Sequence, residues 1–181
     1  VFWAGGKIRR VDLAGSASVI PFRVADTRTV IDPPRPQVAV APDRLTTKMP
    51  RYAEISPDGG RVVFESLGKL YVKGLPDGAP QRLTGTTGGE FELFPSWSRD
   101  GSRVVYVQWT DAGLGHIRTV SASGGGAKTL TGEPGHYRRP RFSPDGRMVV
   151  FEKGGGGYLL SDDWSQTQGI FRIAADGGAA R

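Results

Sequence analysis

Apolar and polar positions in this chain alternate in short bursts, and the bursts recur. Arg61-Val62-Val63-Phe64, Arg103-Val104-Val105-Tyr106 and Arg147-Met148-Val149-Val150-Phe151 are β-branched and aromatic runs of strand length. Each follows a short segment ending in an apolar residue: Tyr52-Ala53-Glu54-Ile55, Phe94-Pro95-Ser96-Trp97 and Arg139-Pro140-Arg141-Phe142. Each leads to an alternating third segment: Lys69-Leu70-Tyr71-Val72, His116-Ile117-Arg118-Thr119-Val120 and Gly169-Ile170-Phe171-Arg172-Ile173. A Gly-rich turn then opens a short fourth segment, Gln81-Arg82-Leu83-Thr84 or Lys128-Thr129-Leu130-Thr131. Short alternating runs bounded by turn signals predict antiparallel sheets of four strands.

The turn between the first two strands repeats most closely: Ser56-Pro57-Asp58-Gly59, Ser98-Arg99-Asp100-Gly101 and Ser143-Pro144-Asp145-Gly146. Proline presets φ for a type I corner, Asp bonds its own backbone, and Gly accepts positive φ. These aspartates are therefore read as turn formers. Sheets of four short strands at a period of roughly 40–50 residues predict β-propeller blades. The expected fold is all-β, a partial β-propeller of about three and a half four-stranded antiparallel blades, none able to bury its faces alone. Residues 1–22 read as the last three strands of a blade and 51–84 and 85–131 as whole blades. Residues 132–181 read as a nearly complete blade with a long loop at 153–168. Residues 23–50 break the period with Asp32-Pro33-Pro34-Arg35-Pro36 and Ala41-Pro42-Asp43, which favours extended chain over a ladder. The partial blade at one end and the unfinished blade at the other suggest a piece of a longer protein.

Composition sharpens this picture. The 27 Gly and 13 Pro among 181 residues suit many tight turns and disfavour helices. No cysteine is present, which removes disulfides, thiolate metal sites and cysteine nucleophiles. No apolar run has membrane-spanning length. The net charge of +6 comes mostly from dispersed arginines, with no basic run longer than a pair such as Arg138-Arg139, so no nucleic-acid partner is expected.

The stretches Ile55-Ser56-Pro57-Asp58-Gly59, Gly68-Lys69-Leu70-Tyr71-Val72 and Pro80-Gln81-Arg82-Leu83-Thr84 resemble the repeats of TolB-type propellers. Met49-Pro50-Arg51-Tyr52 through Thr84 further resembles the propeller that precedes the catalytic domain of large bacterial amidohydrolases. That resemblance implies a non-catalytic interaction or substrate-gating domain, with any metal ion held in a separate catalytic domain. It also implies a periplasmic or extracellular location, although no signal peptide is visible. A stand-alone TolB-type binding propeller and the lid of a serine peptidase are the alternatives. The partners implied are the remaining blades or catalytic domain of a parent protein, or another copy completing the ring.

Within these residues no catalytic or metal constellation is legible. His116 and His136 form no His-x-His or His-Glu-x-x-His pair, and no Gly-x-Ser-x-Gly elbow occurs. Gly124-Gly125-Gly126-Ala127-Lys128-Thr129 lacks the glycine a phosphate loop needs before lysine. Blade topology instead points to one rim, built by the connections entering each first strand and those joining second to third strands. The first set supplies Arg51 and Tyr52, then Glu90 and Glu92, then His136, Tyr137, Arg138 and Arg139. The second includes Asp162, Asp163 and Trp164. Aromatic and charged groups gathered at a rim are what binding surfaces use. Glu90 with Glu92 is the pair that could hold Ca²⁺ with a backbone carbonyl.

Overall fold

A computed structural model describes residues 1–36, 41, 43–155 and 168–181. They fall into two compact units, Val1–Asp43 and Arg44–Arg181. In the first, β1 (Phe2–Ala4), β2 (Lys7–Val11) and β3 (Ala17–Val19) form an antiparallel sheet in that order. Gly5 and Gly6, both at positive φ, make the two-residue hairpin that sets Ala4 opposite Lys7. Among the described residues between Ile20 and Pro50 there is no strand, as the proline density there dictates.

The second unit carries three meander sheets. β4 (Arg51–Ile55), β5 (Arg61–Ser66), β6 (Lys69–Gly74) and β7 (Gln81–Arg82) make one blade. β8 (Phe91–Trp97), β9 (Arg103–Thr110), β10 (Leu114–Ser121) and β11 (Lys128–Thr129) make the next. The last has β12 (His136–Phe142), β13 (Met148–Gly154) and β14 (Gly169–Ala174). There Arg172 and Arg181 exchange backbone hydrogen bonds of 2.8 and 3.0 Å, the opening of a fourth strand. These three sheets are successive blades of a partial propeller. The three-stranded sheet of the first unit, taken by itself, has the strands of a further partial blade, about three and a half blades' worth of strands among the described residues.

The repeated turn has one geometry in all three copies. The serine hydroxyl donates to the aspartate at 2.5 Å for Ser56–Asp58, Ser98–Asp100 and Ser143–Asp145. The same hydroxyl accepts the amide that starts the next strand, from Arg61, Arg103 or Met148, at 2.9–3.0 Å. Gly59, Gly101 and Gly146 sit at φ of 74°, 68° and 69°, which is the reason for glycine there. Hydrogen bonds from serine and backbone hold the carboxyls of Asp58 and Asp145 below the usual range, and that of Asp100 at about 2.

β9 is buried on both faces, and its alternation divides two cores. Val104 and Tyr106 pack with Val63, Leu70, Leu83 and Trp97 toward the preceding blade. Val105 and Val107 pack with Ile117, Tyr137, Val149 and Phe151 toward the following one. Each such side chain contributes about 1.5–3 kcal/mol on burial.

An arginine then fastens each junction from outside. Arg61 Nη2 donates to the Gly101 carbonyl at 2.9 Å with its guanidinium 4.9 Å from the Trp97 ring. Arg103 does the same to Gly146 at 3.1 Å, 5.0 Å from the Phe142 ring. In the last blade the equivalent residue is Met148, because its amide, not that of Arg147, bonds the turn serine. Arg147 belongs to the turn.

Candidate functional site

The first strands β4, β8 and β12 each carry the same irregularity. Register passes from Arg51↔Glu65 to Glu54↔Val63, from Leu93↔Val107 to Ser96↔Val105, and from Arg138↔Glu152 to Arg141↔Val150. At each place two residues oppose one, which defines a β-bulge. The first bulge residue is left-handed in all three: Tyr52 at φ 54°, Phe94 at 55° and Arg139 at 46°. A bulky side chain in that region costs on the order of 1–3 kcal/mol. Proline follows in two copies, Pro95 and Pro140, where the bulge leaves the amide without a ladder partner.

Between these bulges lies a pocket of about 420 Å³, lined by Tyr52, Ala53, Glu54, Phe94, Pro95, Arg139 and Arg141. The Tyr52 and Phe94 rings meet at a tilt of 48° with centroids 4.5 Å apart, and the Arg51 guanidinium lies 5.7 Å from the tyrosine ring. Glu54 ties three blades together. Its Oε1 accepts from the Ser96 hydroxyl at 3.1 Å and the Trp97 amide at 3.0 Å, and its carbonyl accepts from the Trp97 indole at 2.9 Å. Its Oε2 forms an ion pair with Arg141. Arg139 pairs with Glu152 at 3.1 Å, and Arg51 with buried Glu65 at 2.7 Å, which raises the Arg51 guanidinium further above its ordinary value. Each arginine keeps half or more of its side chain in solvent. The pocket therefore offers two aromatic rings and the guanidiniums of Arg139 and Arg141, whose partners leave them able to engage a further anion.

The structure sorts the rim residues expected from sequence. Tyr52 and Arg139 line the pocket, Arg51 lies over the Tyr52 ring outside that lining, and Arg138 lies in β12. His136 packs against Trp109 at a tilt, ring centroids 5.0 Å apart. Glu92 and Tyr137 are not on a rim: both are buried between blades, because β8 and β12 begin three residues earlier than the period suggests. Glu92 accepts the Leu70 amide at 2.8 Å and the hydroxyls of Thr84 at 2.5 Å and Thr86 at 2.6 Å. Tyr137 packs edge-on to Phe151 and donates to the Glu133 carbonyl at 2.9 Å, and burial pushes its hydroxyl pKa up. Glu90 is held by Lys69, whose ammonium donates to the Glu90 and Gly88 carbonyls. Both Glu92 oxygens are thus committed to the Leu70 amide and the two threonine hydroxyls. Asp162, Asp163 and Trp164 lie outside the described residues.

Two participants are not visible in the sequence, Glu54 and Arg141. The proline inside two first strands is the signal that marks the bulge and hence the pocket.

No protein-family model matches the chain. Among solved structures, it is similar to TolB from Acinetobacter baumannii at 21% identity and a TM-score of 0.54, over 71% of this chain and 30% of that one. An oligogalacturonate lyase in complex with manganese matches at 15% identity and a TM-score of 0.59, over 71% and 38%. The β-propeller domain of the Trilobed protease from Pyrococcus furiosus matches at 10% identity and a TM-score of 0.52, over 75% and 42%. The fold is that of a TolB-type β-propeller. This chain spans less than half the length of each of these structures.

Proposed function

We propose that this chain is a non-catalytic propeller portion of a larger metal-dependent hydrolase of the amidohydrolase kind, in which it contacts or gates an extended partner segment. The observation that carries the reading is the triplet of left-handed residues, Tyr52, Phe94 and Arg139, around one pocket. Backbone strain kept at the same place in three successive blades is uneconomical for a scaffold and usual at a ligand clamp. The pocket chemistry favours a segment that brings an aromatic or apolar side chain to the two rings and a carboxylate to Arg139 and Arg141. The amidohydrolase parent rests on the resemblance of the Met49–Thr84 region; the metal and the reacting groups then belong to another domain, and the location is periplasmic or extracellular.

The test uses fluorescence anisotropy with labelled extended peptides that pair Asp or Glu with Phe or Tyr. Glycine accepts the left-handed backbone, so Tyr52→Gly and Phe94→Gly remove the rings without adding strain. Both should weaken binding about tenfold or more, as should Arg139→Ala. Binding that survives all three changes would remove the pocket from the reading. The same preparation should hydrolyse no amide, ester or peptide substrate with or without Zn²⁺, and turnover abolished by His136→Ala would overturn the non-catalytic assignment.

A further inference from the structure

The last blade of the second unit leaves uncovered two positions that its predecessors bury completely. Val63 with Leu70, and Val105 with Ile117, are at 0% exposure where each blade meets the next. Register makes Val150 and Ile170 their equivalents. Glu65 opposes Leu70, Val107 opposes Ile117 and Glu152 opposes Ile170, with Val63, Val105 and Val150 two residues before. Yet Val150 is 38% and Ile170 70% exposed. Met148 lies beside them in the position of Arg61 and Arg103, and Arg172 takes the place of Val72 and Thr119.

What covers this face can be read from the two junctions already formed. Val63 and Leu70 are covered by Trp97, Val104 and Tyr106, and Val105 and Ile117 by Tyr137, Val149 and Phe151. In both cases the covering elements are the first two strands of another blade, bringing valine and aromatic side chains. We infer that the Val150–Ile170 face is the docking surface for a further blade of this same repeat, belonging to the same parent polypeptide. The match to structures more than twice as long as the matched region argues for that source. Met148 gives this junction an apolar edge: it meets the aromatic residue before the next Ser-x-Asp-Gly turn without the arginine clip. The inference goes beyond the pocket reading, and peptide binding at Tyr52 and Phe94 does not bear on it.

The register of Arg172 with Arg181 specifies the test. Arg181 occupies the position of Gln81, since Val72 pairs with Gln81 as Arg172 bonds Arg181. Appending a second copy of residues 82–131 directly after Arg181 therefore completes the fourth strand and adds one blade in register. In this lengthened chain, Ile170→Glu and Val150→Glu should each lower Tm by about 5 °C or more. In the 181-residue chain the same changes should move Tm by less than about 1 °C. The lengthened chain should also bind less apolar dye than the parent. Equal effects in the two chains, or no stabilisation on adding the blade, would overturn the inference. So would a concentration-dependent dimer of the 181-residue chain dispersed by Ile170→Glu, which would make a second copy the occupant.

Discussion

The two junctions of the second unit share one backbone plan and differ in what they bury at the same position. At the first, Glu92 places a carboxylate between blades and satisfies it with the Leu70 amide and two threonine hydroxyls. At the second, Tyr137 fills that place with a ring against Phe151, tethered by one hydrogen bond. The repeat therefore dictates where a side chain points and how deeply it is buried, while its chemistry is settled locally by the donors opposite. Thr84 and Thr86 make a buried charge tolerable; without them it would have to be desolvated unpaired.

The largest effect that separates the junctions is expected from Glu92→Ala. It leaves three donors without an acceptor and should cost about 3 kcal/mol or more in urea unfolding. Tyr137→Phe, which removes one hydrogen bond and keeps the ring, should cost about 1 kcal/mol. Equal losses would mean that the carboxylate contributes no more than the tether. Next come the arginine clips, which the junctions share. Arg61→Ala and Arg103→Ala should each destabilise by about 1–2 kcal/mol, and Arg103→Met, imitating the last blade, should recover part of that. A clip that matters at only one junction would break the equivalence.

Acid should reveal the turns. The folded pKa values of Asp58, Asp100 and Asp145 lie below their unfolded value, so their contribution is complete above the ordinary Asp pKa of about 3.9. It fades as pH falls toward about 2, where Asp100 titrates. Asp100→Asn should flatten the acid limb of a stability-versus-pH curve between those values, and an unchanged limb would refute the assignment. The smallest effect is expected at Tyr106, whose buried hydroxyl has no hydrogen-bond partner among the described residues and whose pKa burial raises strongly. Tyr106→Phe should be neutral or stabilise by up to about 1 kcal/mol; a clear loss would reveal a partner for the hydroxyl.

The sequence made the second and third strands legible because Val62–Phe64, Val104–Tyr106 and Val149–Phe151 are dense β-formers set off by a fixed turn. The first strands were read short. Their left-handed residues are Tyr52, Phe94 and Arg139 rather than glycine, so nothing in residue type announced the bulge. Glu92 and Tyr137, upstream of it, consequently looked like rim residues. Arg51, Tyr52 and Arg139 were legible as binding candidates because charged and aromatic residues stand where a strand enters. Glu54 and Arg141 were not, since their partners come from strands about 40 and 90 residues away in sequence.

In an ordinary strand, losing one residue turns everything on one side of the gap inside out, and such deletions are purged. The bulged strands escape that rule in part. Glu92 and Trp97 face the same neighbouring blade although five positions, an odd number, separate them. One residue taken from the bulge at Phe94-Pro95 would restore an ordinary ladder with both flanks in their present register, Leu93 opposite Val107 and Ser96 opposite Val105. The mouth of the pocket and the wall that supports it can thus be edited separately. A lineage could lengthen, shorten or re-aim what surrounds the ligand while inheriting its inter-blade packing intact.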